Sequence, residues 1–205
     1  TVSPAIQNIV GSELIYIDFS KSKKALGGTS FAQVLNLLGD DVASIGDAQY
    51  FAKAFNAVQK LIKSDLVLAG HDISAGGMIT TLLEMCFPMS KVGLDVDLEG
   101  FDDDLVQVLF SENPGVVLQV SGAKVGDILT KLGVDFIPIA KVTNNRSISI
   151  SHKGQSLKID IDEYRNYWFK TSHLLDRIQR PKSYVDEGQA NFSQQPLIYT
   201  FQPRF

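Results

Sequence analysis

The chain has 205 residues, 44% of them apolar, with a formal net charge of −4 and a sequence pI near 5.3. That is enough apolar material for a sizeable core in one large domain or one domain with an appendage, while the acidic balance gives no general electrostatic reason to expect nucleic acid. One cysteine, Cys86, excludes an intrachain disulfide and a zinc cluster built on several thiolates, and without a secretory leader or an apolar run near the roughly 20 residues that span a bilayer, a soluble cytoplasmic protein with a small-metabolite ligand is expected.

In chain order, "ELIYIDFS" (13–20) is rich in β-branched and aromatic residues and predicts a strand. "GGTSFAQVLNLLG" follows, where Thr29 or Ser30 can cap a short helix with Phe31, Val34, Leu35 and Leu38 as its apolar residues. Over 47–63, Phe51, Phe55, Val58, Leu61 and Ile62 recur at three and four, the period of a helix with one buried stripe. "LVLAG" (66–70) is short and wholly apolar, as in a strand covered on both faces. "GMITTLLEMCF" (77–87) returns to a helical period. "VGLDVDL" (92–98) alternates, "GVVLQV" (115–120) predicts a buried strand, and "KVGDILTKLG" (124–133) a helix closed by glycine. "DFIPIAKV", "SISIS" and "SLKIDI" predict three further strands, the last two joined by a turn at "HKGQ". A last helix over 162–180 carries a stripe of Tyr164, Trp168, Thr171, Leu174, Leu175 and Ile178, and Pro181 stops it. Residues 181–205 hold no sustained period and three prolines, which reads as an extended linker.

The stretch "AGHDISAGG" (69–77) carries the chemistry. An apolar strand, a polar loop, two glycines and a helix place that loop at the carboxyl edge of a sheet, where ligands collect. The helix start offers N–H groups suited to a phosphate, and Gly76 and Gly77 lack the Cβ atoms that would block close approach. Ser74 can cap the helix, and Asp72 is the kind of carboxylate that Mg²⁺ shares with substrate phosphates. The competing structural reading makes Asp72 or Ser74 a plain helix cap, His71 a packed histidine and the glycines a turn. Neither G-x-x-x-x-G-K-S/T nor G-x-G-x-x-G occurs, so periodicity and spacing leave both readings open.

Several segments together resemble one family. "AGHDISAGGMITTLLEMCF" is similar to the H-D-x-S-D-G-G-L signature and following helix of phosphoribosylformylglycinamidine synthases, "LGGTSFAQV" to their L-G-G-S/T-x-x-A-Q, "LFSENPGVVLQV" to their F-x-E-S/N strand start, and "WFKTSHLLD" to their late helix. The resemblance implies an ATP- and glutamine-dependent amidotransferase of purine biosynthesis, in which ATP phosphorylates an amide oxygen of formylglycinamide ribonucleotide and ammonia displaces the phosphate. It also implies an α+β fold, a layered mixed sheet flanked by helices, like the C-terminal domain of aminoimidazole ribonucleotide synthetase. Residues 1–180 would be that domain, the C-terminal module of the second synthetase-like pair, and 181–205 a linker toward a glutaminase domain. The implied partners are the preceding N-terminal module and that glutaminase domain, and the module alone would be inactive. Carried over by position, Asp72 is the Mg²⁺ ligand and Ser74 the contact to ATP, or to ADP at an auxiliary site. His71, Gly76 and Gly77 match as loop-forming residues around the nucleotide, and Glu112 and Asn113 match more loosely as ligand contacts. Ala75 departs from the pattern, which has a second aspartate there. The alternatives are a structural domain holding an auxiliary nucleotide without turnover, and a stand-alone relative such as a selenophosphate or thiamine monophosphate enzyme.

Other chemistry-bearing residues have plainer readings. No residue is assigned a catalytic role: His71 shows no partner that would make it a base, and Cys86 sits in an apolar helical stripe without the tight turn that exposes a nucleophile. The acids of "FDDDL" (101–105) point in different directions and suit a solvated helix cap. Tyr164 and Trp168 share their stripe with leucines and read as packing residues, His152 and Lys153 fall in a hairpin turn, and His173 shows no partner.

Overall fold

Runs of β-branched and aromatic residues pair into one seven-stranded mixed sheet in the computed structural model, which describes residues 2–9, 11–122 and 124–191. The strands are β1 (Ser12–Asp18), β2 (Val67–Asp72), β3 (Gly93–Asp97), β4 (Gly115–Ser121), β5 (Ile137–Thr143), β6 (Ser147–His152) and β7 (Gln155–Asp160), in the spatial order β2-β4-β1-β5-β3-β6-β7. All neighbours are antiparallel except β3 and β6. Each expected strand forms within a residue or two of its expected ends. The β6–β7 turn places Lys153 and Gly154 at φ 46° and 77°, the paired positive values of a tight hairpin.

Alternation along β1 assigns its side chains to two cores. Leu14 and Tyr16 join one cluster with Leu82, Met85 and Cys86 of helix α3 (Gly77–Cys86). Ile15 and Ile17 face the other, built on Ala54, Val58 and Leu61 of helix α2 (Ala48–Lys63) and Leu129 of helix α5 (Lys124–Lys131). The sheet is thus covered by helices on both faces, the layered α+β arrangement that the family resemblance implied. The remaining helices are α1 (Ser30–Val34), α4 (Leu105–Phe110), α6 (Ile161–Gln179) and α7 (Lys182–Asn191). Among the described residues no helix is long and apolar enough to cross a membrane.

Side chains cap several helices where the sequence places a capping residue. Asp47 accepts from the amides of Gln49 and Tyr50, Thr29 from Ala32, and Asp104 of the "FDDDL" run from Val106.

The structure departs from expectation at four elements, β2, α1, α6 and α7. β2 is an edge strand and largely half-buried, because only β4 pairs with it. Helix α1 ends at Val34, so Val34 and Leu38 stand 76% and 77% exposed, while Phe31 stacks on Phe110 at 4.5 Å. The chain divides after Ile161 into two compact units. In the second unit Trp168, Leu175 and Ile178 of the α6 stripe stand 54%, 54% and 83% exposed. Residues expected as extended linker form α7, whose first turn hangs on the Pro181 carbonyl, an acceptor for the Tyr184 and Val185 amides. Only Val185 of that helix is buried, so no apolar period announces it. The rest of the expected linker, 192–205, lies outside the described residues.

Candidate functional site

The β2–α3 loop begins where the edge strand ends. The Asp72 carbonyl accepts from the Thr81 hydroxyl at 3.0 Å, which ties the loop to α3. Its carboxylate is left 77% exposed. His71 Nδ1 lies 3.4 Å from Asp72 Oδ1, and Nε2 lies 3.4 Å from Glu84 Oε2 on α3. His71 therefore has two carboxylate neighbours, where sequence alone showed none. Burial raises the Glu84 carboxyl above its ordinary value, His71 opposes the shift and Asp72 adds to it. The available signal was a lone acid inside the apolar run "TLLEMC".

The helix start departs from both sequence readings of its cap. Gly76, at φ 89°, is the capping residue, and no side chain of the loop accepts from the first turn of α3. The Gly77 amide bonds to the Ser74 carbonyl at 3.0 Å, and Ser74 is exposed. A Cβ on Gly76 would meet Thr80 Oγ1 at 2.2 Å, and one on Gly77 would meet the Leu109 carbonyl oxygen at 2.6 Å. Both glycines make room for the protein's own atoms.

Glu112 reaches the residue that caps the helix. Its Oε1 accepts from the Gly76 amide at 2.7 Å and from the Ser30 amide at 2.8 Å. Asn113 is 1% exposed, and its side chain holds the 20–25 loop. Its Oδ1 accepts from the Ala25 amide at 3.3 Å, and its Nδ2 donates to Ser20 Oγ at 3.3 Å, Ser22 Oγ at 3.0 Å and the Lys23 carbonyl at 3.2 Å. Both residues thus bond within the chain.

Beside His71 and Asp72 a cleft of about 530 Å³ opens, with Phe19, Phe55, Val58 and Ile62 among its lining residues. Its size and apolar walls suit a small-molecule site. Among the described residues no group of three His, Cys, Asp or Glu side chains could hold a metal ion. Asp72 offers one exposed carboxylate, which fits Mg²⁺ shared with water and phosphate oxygens rather than a cage made of protein ligands.

A second cavity, of about 260 Å³, contains a lysine that sequence reasoning passed over. Lys24 is 5% exposed, with Nζ 3.1 Å from the Tyr16 hydroxyl and over the Tyr16 and Phe101 rings. Burial lowers its pKa, against the opposing pull of Asp18 and Asp103, and burial raises that of Tyr16. Elsewhere Cys86 is fully buried, as its stripe implied. The ring nitrogens of buried His152 lie 2.9 and 3.0 Å from the Leu98 and Asp103 carbonyl oxygens, and His173 lies 3.3 Å from Asp186 within the second unit.

Comparison with known proteins matches residues 10–153 to the family described as AIR synthase related protein, C-terminal domain. Among curated relatives, a probable chloroplastic/mitochondrial phosphoribosylformylglycinamidine synthase of Arabidopsis thaliana is 36% identical over 177 residues, 84% of this chain and 12% of that protein. The phosphoribosylformylglycinamidine synthase of Homo sapiens is 31% identical over 214 residues, 100% of this chain and 16% of that protein. The chain thus spans under a fifth of the length of these relatives. Among solved structures, T. maritima PurL complexed with ATP superposes with a TM-score of 0.61 at 15% identity, covering 78% of this chain and 26% of that one. T. maritima PurL complexed with FGAR gives 0.60 at 17% identity, covering 80% and 29%. At these identities the two structures establish likeness of fold.

Proposed function

The chain belongs to the AIR synthase related protein C-terminal domain family, and from that premise we propose that it is one module of a phosphoribosylformylglycinamidine synthase and forms part of a Mg²⁺–nucleotide site. The parent activity would convert formylglycinamide ribonucleotide, with ATP and glutamine-derived ammonia, to formylglycinamidine ribonucleotide. Similarity to two synthases over most or all of this chain supports that assignment. The observation that carries the site is the exposed Asp72 carboxylate at the end of β2, beside the exposed Ser74 and the mouth of the 530 Å³ cleft.

In this reading Asp72 holds Mg²⁺ and the Ser74 hydroxyl meets a phosphate or nucleotide oxygen. The metal supplies charge neutralisation on the phosphates of ATP, or of ADP at an auxiliary site. His71, whose Nδ1 lies 2.8 Å from the Asp72 carbonyl oxygen and whose Nε2 lies 3.4 Å from Glu84 Oε2, would help fix the backbone that carries the metal-binding side chain. Gly76 and Gly77 support the loop through packing. Glu112 and Asn113, proposed from sequence as ligand contacts, act here through the backbone groups they bind. One carboxylate and one hydroxyl make an incomplete site, so a preceding N-terminal module supplies the remaining ligands, and a glutaminase domain supplies ammonia.

Isothermal titration of Mg²⁺-ATP and Mg²⁺-ADP into the chain, with and without the preceding module in trans, tests this reading. Binding is expected only with both modules and is lost in Asp72→Ala. Absence of binding when both are folded and associated overturns it. Binding that survives D72A assigns the metal to other residues.

A further inference from the structure

We propose that Glu112 is a positioning residue that locks the 72–77 loop to the 27–30 turn; its relevance to ligand binding rests on the nucleotide site proposed above. One carboxylate oxygen receives two backbone amides, from Gly76 at 2.7 Å and Ser30 at 2.8 Å. Those residues lie 36 and 82 positions from Glu112 along the chain, so the carboxylate joins three segments that sequence leaves far apart.

The arrangement has an electrostatic reason. Gly76 caps the start of α3 and Ser30 opens α1, and one backbone N–H from each meets the same carboxylate oxygen. Their partial positive charges repel unless an anion stands between them, and a charged acceptor makes each hydrogen bond stronger than a neutral one. Glu112 is that anion. A nucleotide phosphate at the same point would displace the carboxylate or face its repulsion. Glu112 therefore sets where Asp72 and Ser74 stand without touching the ligand. The adjacent Asn113 extends the clasp, since its four hydrogen bonds fasten the 20–25 loop that leads into the same turn.

The test compares wild type, Glu112→Gln and Glu112→Ala in the 205-residue chain by amide hydrogen exchange. E112A should exchange at Ser30 and Gly76 at least about tenfold faster while central sheet amides keep their protection, and E112Q, which retains an acceptor oxygen, should recover most of it. Unchanged protection of Ser30 and Gly76 in E112A overturns the clasp. If E112A does not fold, Glu112→Asp, one methylene shorter, is read in the same way. With the preceding module in trans, E112A should weaken Mg²⁺-ATP binding about tenfold at unchanged sheet protection, and E112Q should return to within about threefold of wild type. Equal affinity in E112A and wild type overturns the positioning role even where the clasp exists. Wild type that binds no nucleotide, combined with lost amide protection in E112A, leaves the clasp standing and overturns the site reading instead.

Discussion

Gly77→Ala separates a glycine needed by a ligand from a glycine needed by the fold. At φ 72° an alanine takes the left-handed conformation, which costs about 1–2 kcal/mol. Its Cβ would also lie 2.6 Å from the Leu109 carbonyl oxygen and 2.8 Å from the Phe110 carbonyl carbon and Cα. These are backbone atoms of α4 and cannot rotate aside, so the helix must shift, at an overpacking cost of about 1–3 kcal/mol. The total, about 2–5 kcal/mol, is a large share of the roughly 5–15 kcal/mol that holds a typical domain folded. Urea unfolding followed by far-UV circular dichroism reads it directly. A loss of about 3 kcal/mol at a slope of about 2 kcal/mol/M lowers the midpoint by about 1.5 M, with the slope unchanged. A loss below about 1 kcal/mol, accompanied by lost nucleotide binding, would refute the packing account and return the glycine to the ligand.

Three further outcomes follow from particular contacts. Asp47→Ala removes the acceptor for two first-turn amides of α2 and should cost about 1 kcal/mol in urea unfolding, whereas Asp47→Asn should cost much less. Cys86 is fully buried, and burial pushes its thiol up to about 12, so a thiol reagent at pH 8 should react only at the rate of protein opening and speed up with urea; fast labelling of the native chain would contradict its place in the core. Burial lowers the Lys24 pKa from 10.5, so the unfolded chain binds the extra proton between the folded and unfolded values and stability rises with pH through that window. Lys24→Met should remove that rise. Tyr16, whose pKa is raised above 10.0, works in the opposite direction only above pH 10, and a rise below that pH persisting in K24M would assign it to another group.

The strands were legible because each is a short β-branched run bounded by turn residues, and such runs announce themselves locally. Their order was not. Nothing local states that "LVLAG" ends up at an edge with one partner, since a buried and an edge strand of that length read alike, and pairing is decided by the other strands. Exposure was also out of reach for α1 and α6. An apolar period says that a face can be buried, and Val34 and Ile178 show that this chain does not bury every such face. Helix α7 is the opposite case, a polar helix whose single buried valine leaves no stripe to detect.

The 69–77 loop shows how residue types can be read while their partners cannot. Spacing made a capped helix start the plainest account of Asp72 and Ser74, and that account has a geometric consequence: one of the two side chains must accept from the first turn of α3. Neither does. Gly76 occupies the capping position, and its amide goes to Glu112, distant in sequence and so invisible to any local rule. The helix therefore explains the glycines and Glu112 but makes no use of the Asp72 carboxylate or the Ser74 hydroxyl. The Asp72 carboxylate is 77% exposed, and His71 Nδ1, 3.4 Å from it, lies nearer the Asp72 carbonyl oxygen at 2.8 Å. An exposed acid at the mouth of an apolar cleft, unused by the helix start, is the feature on which the proposed Mg²⁺ site rests.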